Sequence, residues 1–99
     1  MKYYPVNLDI QEKKCLVVGG GGVGTRKVKT LLSCGAKVTV TSPFVTEYLE
    51  QLAFRSLISL KNRKYTSSDL DGMFLVIGAT DDESLNTRIS REAAERNML

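Results

Sequence analysis

Apolar residues recur along this chain in blocks of two different periods. Cys15-Leu16-Val17-Val18 is an unbroken apolar run that opens directly onto glycines at positions 19 to 22, the pattern of a strand buried on both faces. Gly24, Val28, Leu31, Leu32 and Gly35 then follow at helical spacing, with Arg26, Lys27, Lys29 and Thr30 largely on the other side. Gly35 predicts a left-handed stop to that helix. The β-branched stretch Lys37 to Thr41 predicts a second strand, punctuated by Ser42-Pro43. A second helix is expected from Thr46 to about Phe54, with Tyr48, Leu49, Leu52 and Ala53 as its apolar set. Leu57 to Leu60 predicts a third strand, and Lys61 to Ser68 a polar connection. Asp69 to Gly72 turns the chain into Met73 to Ala79, whose continuous apolar character predicts a central parallel strand. A final helix spans about Ser84 to Arg96 on Leu85, Ile89 and Ala93, and Met98-Leu99 reads as the entry to a further strand.

Ahead of these blocks, Pro5 to Ile10 alternates apolar and polar residues, the period of a half-buried strand, and Gln11 to Lys14 reads as a turn. Strand, glycine turn, helix and strand make a βαβ unit, which crosses over right-handedly in nearly all cases. The fold class expected is therefore α/β, Rossmann-like, with a mainly parallel sheet flanked by helices. At 99 residues the chain is one domain but short of a six-stranded dinucleotide fold. The expectation is a domain over 1–99 that stops before its last strand or strands.

The glycines bring chemistry. Gly19-x-Gly21-x-x-Gly24 has the dinucleotide spacing: the first glycine makes a tight turn, the second admits a pyrophosphate to the main chain, and the third lets helix pack on strand. Gly22 and Val23 would add main-chain N–H groups at the positive helix end, whatever their side chains. A P-loop would need Lys after its last glycine, where Thr25 stands. A G-x-G-x-G methyltransferase loop would need glycine at Val23. A short-chain dehydrogenase would pair Tyr with Lys four residues on, whereas Tyr48 and Tyr65 are followed there by Leu52 and Asp69.

Many dinucleotide folds place Asp or Glu about 20 residues beyond the glycines to hold the ribose. Here Thr41 and Ser42 stand at the strand end, offering hydroxyls, and no Arg waits for a 2′-phosphate, so NAD is expected over NADP. Ser42-Pro43 also suits a helix cap with proline at the first helical position. Pro43 and Phe44 would border the adenosine. Thr80 and Asp81 fall on the carboxyl edge of the last strand, beside the nicotinamide half, while Asp82 reads as a helix cap.

Composition removes other classes. The net charge of +3 is spread along the chain rather than gathered in a stripe with aromatics, which argues against nucleic acid and suits an acidic small molecule. There is no histidine, and Cys15 and Cys34 form no C-x-x-C, so no metal site is expected. No apolar run is long enough to span a bilayer, and the N-terminus lacks a signal-peptide core, so the expected location is the cytoplasm.

The wording is more specific than the fingerprint. Tyr3-Tyr4-Pro5-Val6, then Lys14 to Gly21 with Val23, Arg26, Lys27 and Val28, then Gly35 to Val40 with Ser42-Pro43 belong together. Asp69 to Gly72 with Phe74 to Ile77, and Ala79-Thr80-Asp81-Asp82, complete the set. In this order the pieces resemble precorrin-2 dehydrogenases, the N-terminal module of siroheme synthase. The resemblance implies NAD-dependent oxidation of precorrin-2 to sirohydrochlorin in siroheme biosynthesis, joined in some members by ferrochelatase activity. It also implies a homodimer formed through a region following the nucleotide domain. The family's catalytic Asp would lie beyond Leu99, so no catalytic residue is assigned in this chain and the chain alone is expected to be inactive. Gly24 stands where the family usually has alanine. The alternative function is a non-catalytic NAD-sensing module; such modules usually keep the acidic residue that this chain lacks after its second strand.

Overall fold

The computed structural model describes residues 3–99. Met1 and Lys2, which open the N-terminal stretch read for a signal peptide, lie outside the described residues. The elements are β1 (Lys14–Gly20), α1 (Gly22–Ser33), β2 (Lys37–Val45), α2 (Glu47–Phe54), β3 (Ser59–Lys61), a 3-10 turn (Ser67–Leu70), β4 (Leu75–Gly78) and α3 (Glu83–Glu95). All pairings are parallel, in the order β3-β2-β1-β4. The α/β, Rossmann-like reading is borne out.

The alternation of side chains along β1 divides the core in two. Cys15 and Val17 face α1 and α2, packing with Val28, Leu31, Val38, Val40, Leu49 and Leu52. Leu16 and Val18 face the opposite way, onto Tyr65 just ahead of the 3-10 turn, Leu70 at its end and Ile89 of α3. Both faces of β1 are thus covered, which is why its sequence is continuously apolar. Gly35 ends α1 at φ +82°, as a left-handed glycine should.

Three expectations are corrected. Pro5 to Ile10 joins no sheet: Val6 and Leu8 are exposed and only Ile10 reaches the core. Instead of pairing, this stretch turns the chain into β1: Asp9 accepts the Gln11 N–H (3.1 Å) and the Lys13 N–H returns to the Ile10 carbonyl (2.9 Å). Second, β2 runs through Ser42-Pro43 to Val45. An irregularity between Val18 and Gly20 lets pairing resume at Gly20 and Val45, so the helix cap is Thr46 and not Ser42. Third, the strand within Met73 to Ala79 lies at the edge of the sheet among the described residues and is half-buried rather than central. Its Val76 N–H donates to the Leu99 carbonyl at 2.9 Å, so the residues read as a strand entry do run beside it. Among the described residues no helix is long and apolar enough to cross a membrane.

Candidate functional site

The sheet order places a switch point beside β1. The chain leaves β1 towards β2 and β3, then returns to β4 on the other side. Open α/β sheets bind ligands in the crevice outside the carboxyl ends of strands at such a point. Three segments meet there: the glycine turn after β1, the end of β2, and the loop after β4.

The glycine turn is wedged between the other two. Gly19 sits at φ +118°, and a Cβ on it would stand 2.5 Å from the Ala79 carbonyl oxygen and 3.0 Å from the Thr80 nitrogen. A Cβ on Gly20 would stand 2.6 Å from the Phe44 carbonyl oxygen. Gly20 therefore has a packing reason that the fingerprint spacing does not capture. At Gly24 a Cβ would run into the Gly19 carbonyl, so helix and strand approach more closely here than an alanine allows. Gly21 and Gly22 differ, since a Cβ on either would meet nothing within 4 Å.

That open space lies at a helix end with unspent donors. Gly21 is the N-cap of α1, no side chain caps it, and the first turn holds no acidic residue. The first helical bond runs from the Thr25 N–H to the Gly21 carbonyl at 2.9 Å, which leaves the N–H groups of Gly22, Val23 and Gly24 without helical acceptors. The other two α-helices of the described residues are already provided for. Thr46 caps α2 ahead of Glu47, and Asp82 caps α3 ahead of Glu83. Only α1 keeps an uncompensated positive end, the arrangement that attracts an anion.

On the β2 side, Thr41 is 0% exposed and its Oγ1 has no hydrogen-bond partner among the described residues. The Ser42 hydroxyl donates to the Phe44 carbonyl at 2.6 Å and accepts the Phe44 N–H at 3.4 Å. Of the two hydroxyls expected beside a ribose, that of Thr41 is thus enclosed and that of Ser42 is turned onto its own loop. Because β2 is longer than its β-branched stretch, position 41 pairs with Val18 and Lys61 inside the sheet rather than ending it. Pro43 is exposed and Phe44 is 84% exposed at the rim. The Asn62 carboxamide faces the carbonyls of Pro43 and Ser42, acceptors that call for its nitrogen on that side; so turned, it donates to Pro43 (2.8 Å) and Ser42 (3.0 Å) and ties down this strand end.

On the β4 side, Thr80 lies against the glycine turn, while Asp81 is exposed and makes no hydrogen bond or ion pair among the described residues. Asn86 on α3 holds Thr80: its Oδ1 accepts the Thr80 N–H (3.2 Å) and hydroxyl (2.7 Å), and its Nδ2 donates to the Thr80 carbonyl (2.9 Å). Thr25 and Thr46 share a hydroxyl hydrogen bond of 2.9 Å that ties the starts of α1 and α2 together. Sequence reading missed Asn86, Asn62 and this threonine pair. The one available signal was an Asn in the first turns of a helix, where it is a weak helix former.

A charged network braces the connection between β3 and β4. The Asp69 carboxylate is buried, receives both Arg63 guanidinium nitrogens (2.6 and 3.0 Å) and the Thr66 N–H (2.9 Å), and lies 3.4 Å from Lys61 Nζ. Burial pushes this carboxyl up, but the Arg63 and Thr66 hydrogen bonds and the nearby cations outweigh it and hold it below the usual carboxylate range. Nearby, the Tyr65 hydroxyl donates to Glu92 at 2.7 Å, and burial together with that carboxylate raises the phenol well above its ordinary value.

A family model described as putative NAD(P)-binding matches residues 6–99. The chain belongs to this NAD(P)-binding family, in the form found in siroheme synthases and precorrin-2 dehydrogenases. The siroheme synthase of Pseudoalteromonas atlantica is 42% identical over 99 residues, which is 100% of this chain and 21% of that protein. The siroheme synthase of Ectopseudomonas mendocina is 46% identical over 98 residues, 99% of this chain and 21% of its own. Among solved structures, SirC, a precorrin-2 dehydrogenase, superposes with a TM-score of 0.81 at 33% identity, covering 89% of this chain and 44% of that one. The chain thus spans about a fifth of the length of these two curated relatives. The family resemblance read from Tyr3 to Asp82 is borne out.

Proposed function

We propose that this chain is the NAD-holding domain of a precorrin-2 dehydrogenase, oxidising precorrin-2 to sirohydrochlorin on the way to siroheme. The observation that carries the reading is the start of α1, where Gly21 and Gly22 border open space beside uncapped N–H groups. A diphosphate fits there: the amides of Gly21, Gly22, Val23 and Gly24 would hold it, with the helix dipole favouring its charge. The adenosine would lie along Pro43 and Phe44, and the nicotinamide half beside Thr80 and Asp81. When bound, NAD supplies the hydride acceptor. The chain's own part is to align that acceptor and to keep its approach to the substrate fixed.

NAD is favoured over NADP because the basic residue following Asn62 is already committed. Arg63 spends its guanidinium on Asp69 and is not free to read a 2′-phosphate. The net charge of +3 suits a tetrapyrrole rich in carboxylates. We assign no catalytic acid to these residues, so the chain alone binds NAD without turning over substrate. The parent protein is proposed to be a cytoplasmic homodimer with this domain at 1–99. Isothermal titration with NAD and NADP tests the binding half: NAD should bind more tightly, and no binding of either removes the reading. Assay of the parent with precorrin-2 and NAD, with and without ferrous iron, reads oxidation and iron insertion separately.

A further inference from the structure

Asn86 is not needed by the helix that carries it. The cap of α3 is Asp82, and the Asn86 main-chain N–H already donates to the Asp82 carbonyl at 3.0 Å. Its carboxamide instead makes three hydrogen bonds, all to Thr80. Those bonds depend on a second residue. A Cβ on Gly78 would stand 3.1 Å from Asn86 Oδ1 and 3.4 Å from its Cα, so the last residue of β4 is a glycine where the carboxamide passes.

The consequence falls on the loop. Thr80 has its N–H and carbonyl taken by Asn86, and its hydroxyl is shared between Asn86 Oδ1 and the Asp82 carbonyl (3.0 Å) while accepting the Asp82 N–H (3.2 Å). Its polar groups are spent within the protein. Asp81, the next residue, is exposed and unpartnered among the described residues. The loop therefore offers a ligand the carboxylate of Asp81, in a conformation dictated by Asn86.

We propose that Asn86 is a positioning residue for the nicotinamide half of the cofactor, acting through Thr80 to present Asp81, with Gly78 making room for it. This rests on the nucleotide reading above. In a dinucleotide crevice the adenosine follows β2 and the other nucleotide follows the strand across the switch point, here β4. Loosening the loop after β4 should then weaken NAD and spare ADP, which carries only the adenosine and diphosphate.

The test uses the 99-residue chain and the variants Asn86→Ala and Gly78→Ala, the first deleting the carboxamide and the second crowding it. NAD and ADP affinities are measured by titration calorimetry, and exchange of the Thr80 amide by NMR. NAD affinity should fall about 10-fold in both variants, a change of about 1.4 kcal/mol, with ADP affinity within about 2-fold of the unsubstituted chain. The Thr80 amide, whose acceptor is the Asn86 side chain, should exchange at least about 10-fold faster. Equal losses for NAD and ADP would mean a general structural role and overturn the proposal, as would faster Thr80 exchange with NAD affinity unchanged. An unsubstituted chain that binds neither nucleotide is a different result, removing the nucleotide reading and this proposal with it.

Discussion

Replacing single glycines in the turn after β1 should separate folding from binding. Gly21 has φ −83° and open space where a Cβ would go, so Gly21→Ala costs the fold less than about 1 kcal/mol, the difference between glycine and alanine at an N-cap. The same methyl occupies the space a diphosphate must enter. Losing one or two N–H bonds to a charged group, at roughly 1.5–3 kcal/mol in total, lowers NAD affinity by about 10- to 100-fold. Gly19→Ala reverses the balance. At φ +118°, with the Ala79 carbonyl 2.5 Å from a Cβ, the strained backbone costs about 1–2 kcal/mol and relief of the overlap about 1–3 more. Urea unfolding of the two variants beside calorimetric titration with NAD makes the comparison. Stable Gly21→Ala protein that binds NAD like the unsubstituted chain would refute the diphosphate site. Equal stability of the two variants would refute the geometry assigned to the turn.

Removing the Asp69 carboxylate by Asp69→Ala leaves the Thr66 N–H without its partner and should destabilise by roughly 2–4 kcal/mol, somewhat less than the roughly 3–5 for breaking a fully buried pair because Arg63 and Lys61 are partly exposed, as read by urea midpoint. Because the folded-state carboxyl is held below its ordinary value, its contribution is present above the unfolded pKa and is lost as pH falls through the folded one. Stability should therefore drop on acidification below about pH 4, and Asp69→Ala should show a shallower drop. Thr46→Ala deletes both the cap of α2 and the partner of the Thr25 hydroxyl and should cost about 1–2 kcal/mol, with a matching fall in Tm. Cys15 is buried with its thiol pushed up by burial, while Cys34 is exposed; a thiol reagent should label Cys34 rapidly in the native protein and Cys15 only on unfolding.

The frame of the fold was legible because it is written in long local signals. Cys15 to Val18 could only be a covered strand, and Val28 and Leu31 fall on the face that the sheet covers. What failed was tertiary in origin. Alternation over Pro5 to Ile10 carries no information about whether a neighbouring strand exists to receive it. The length of β2 depends on the irregularity opposite, between Val18 and Gly20, and that displacement took Thr41 inside and turned Ser42 onto its own loop. Site residues followed the same division. The glycines were readable because their spacing is fixed by a backbone requirement. Asn62 and Asn86 act by reaching carbonyls and amides of other segments, contacts that leave no period in the sequence.

The most direct measurement of the central claim is an amide-resolved NMR titration of the chain with NAD. The resonances of Gly21, Gly22, Val23 and Gly24 should move most, followed by Phe44 and Asp81, while those of α2 around Phe54 stay in place. Saturable changes confined to another surface, with the amides at the start of α1 unmoved, would contradict it.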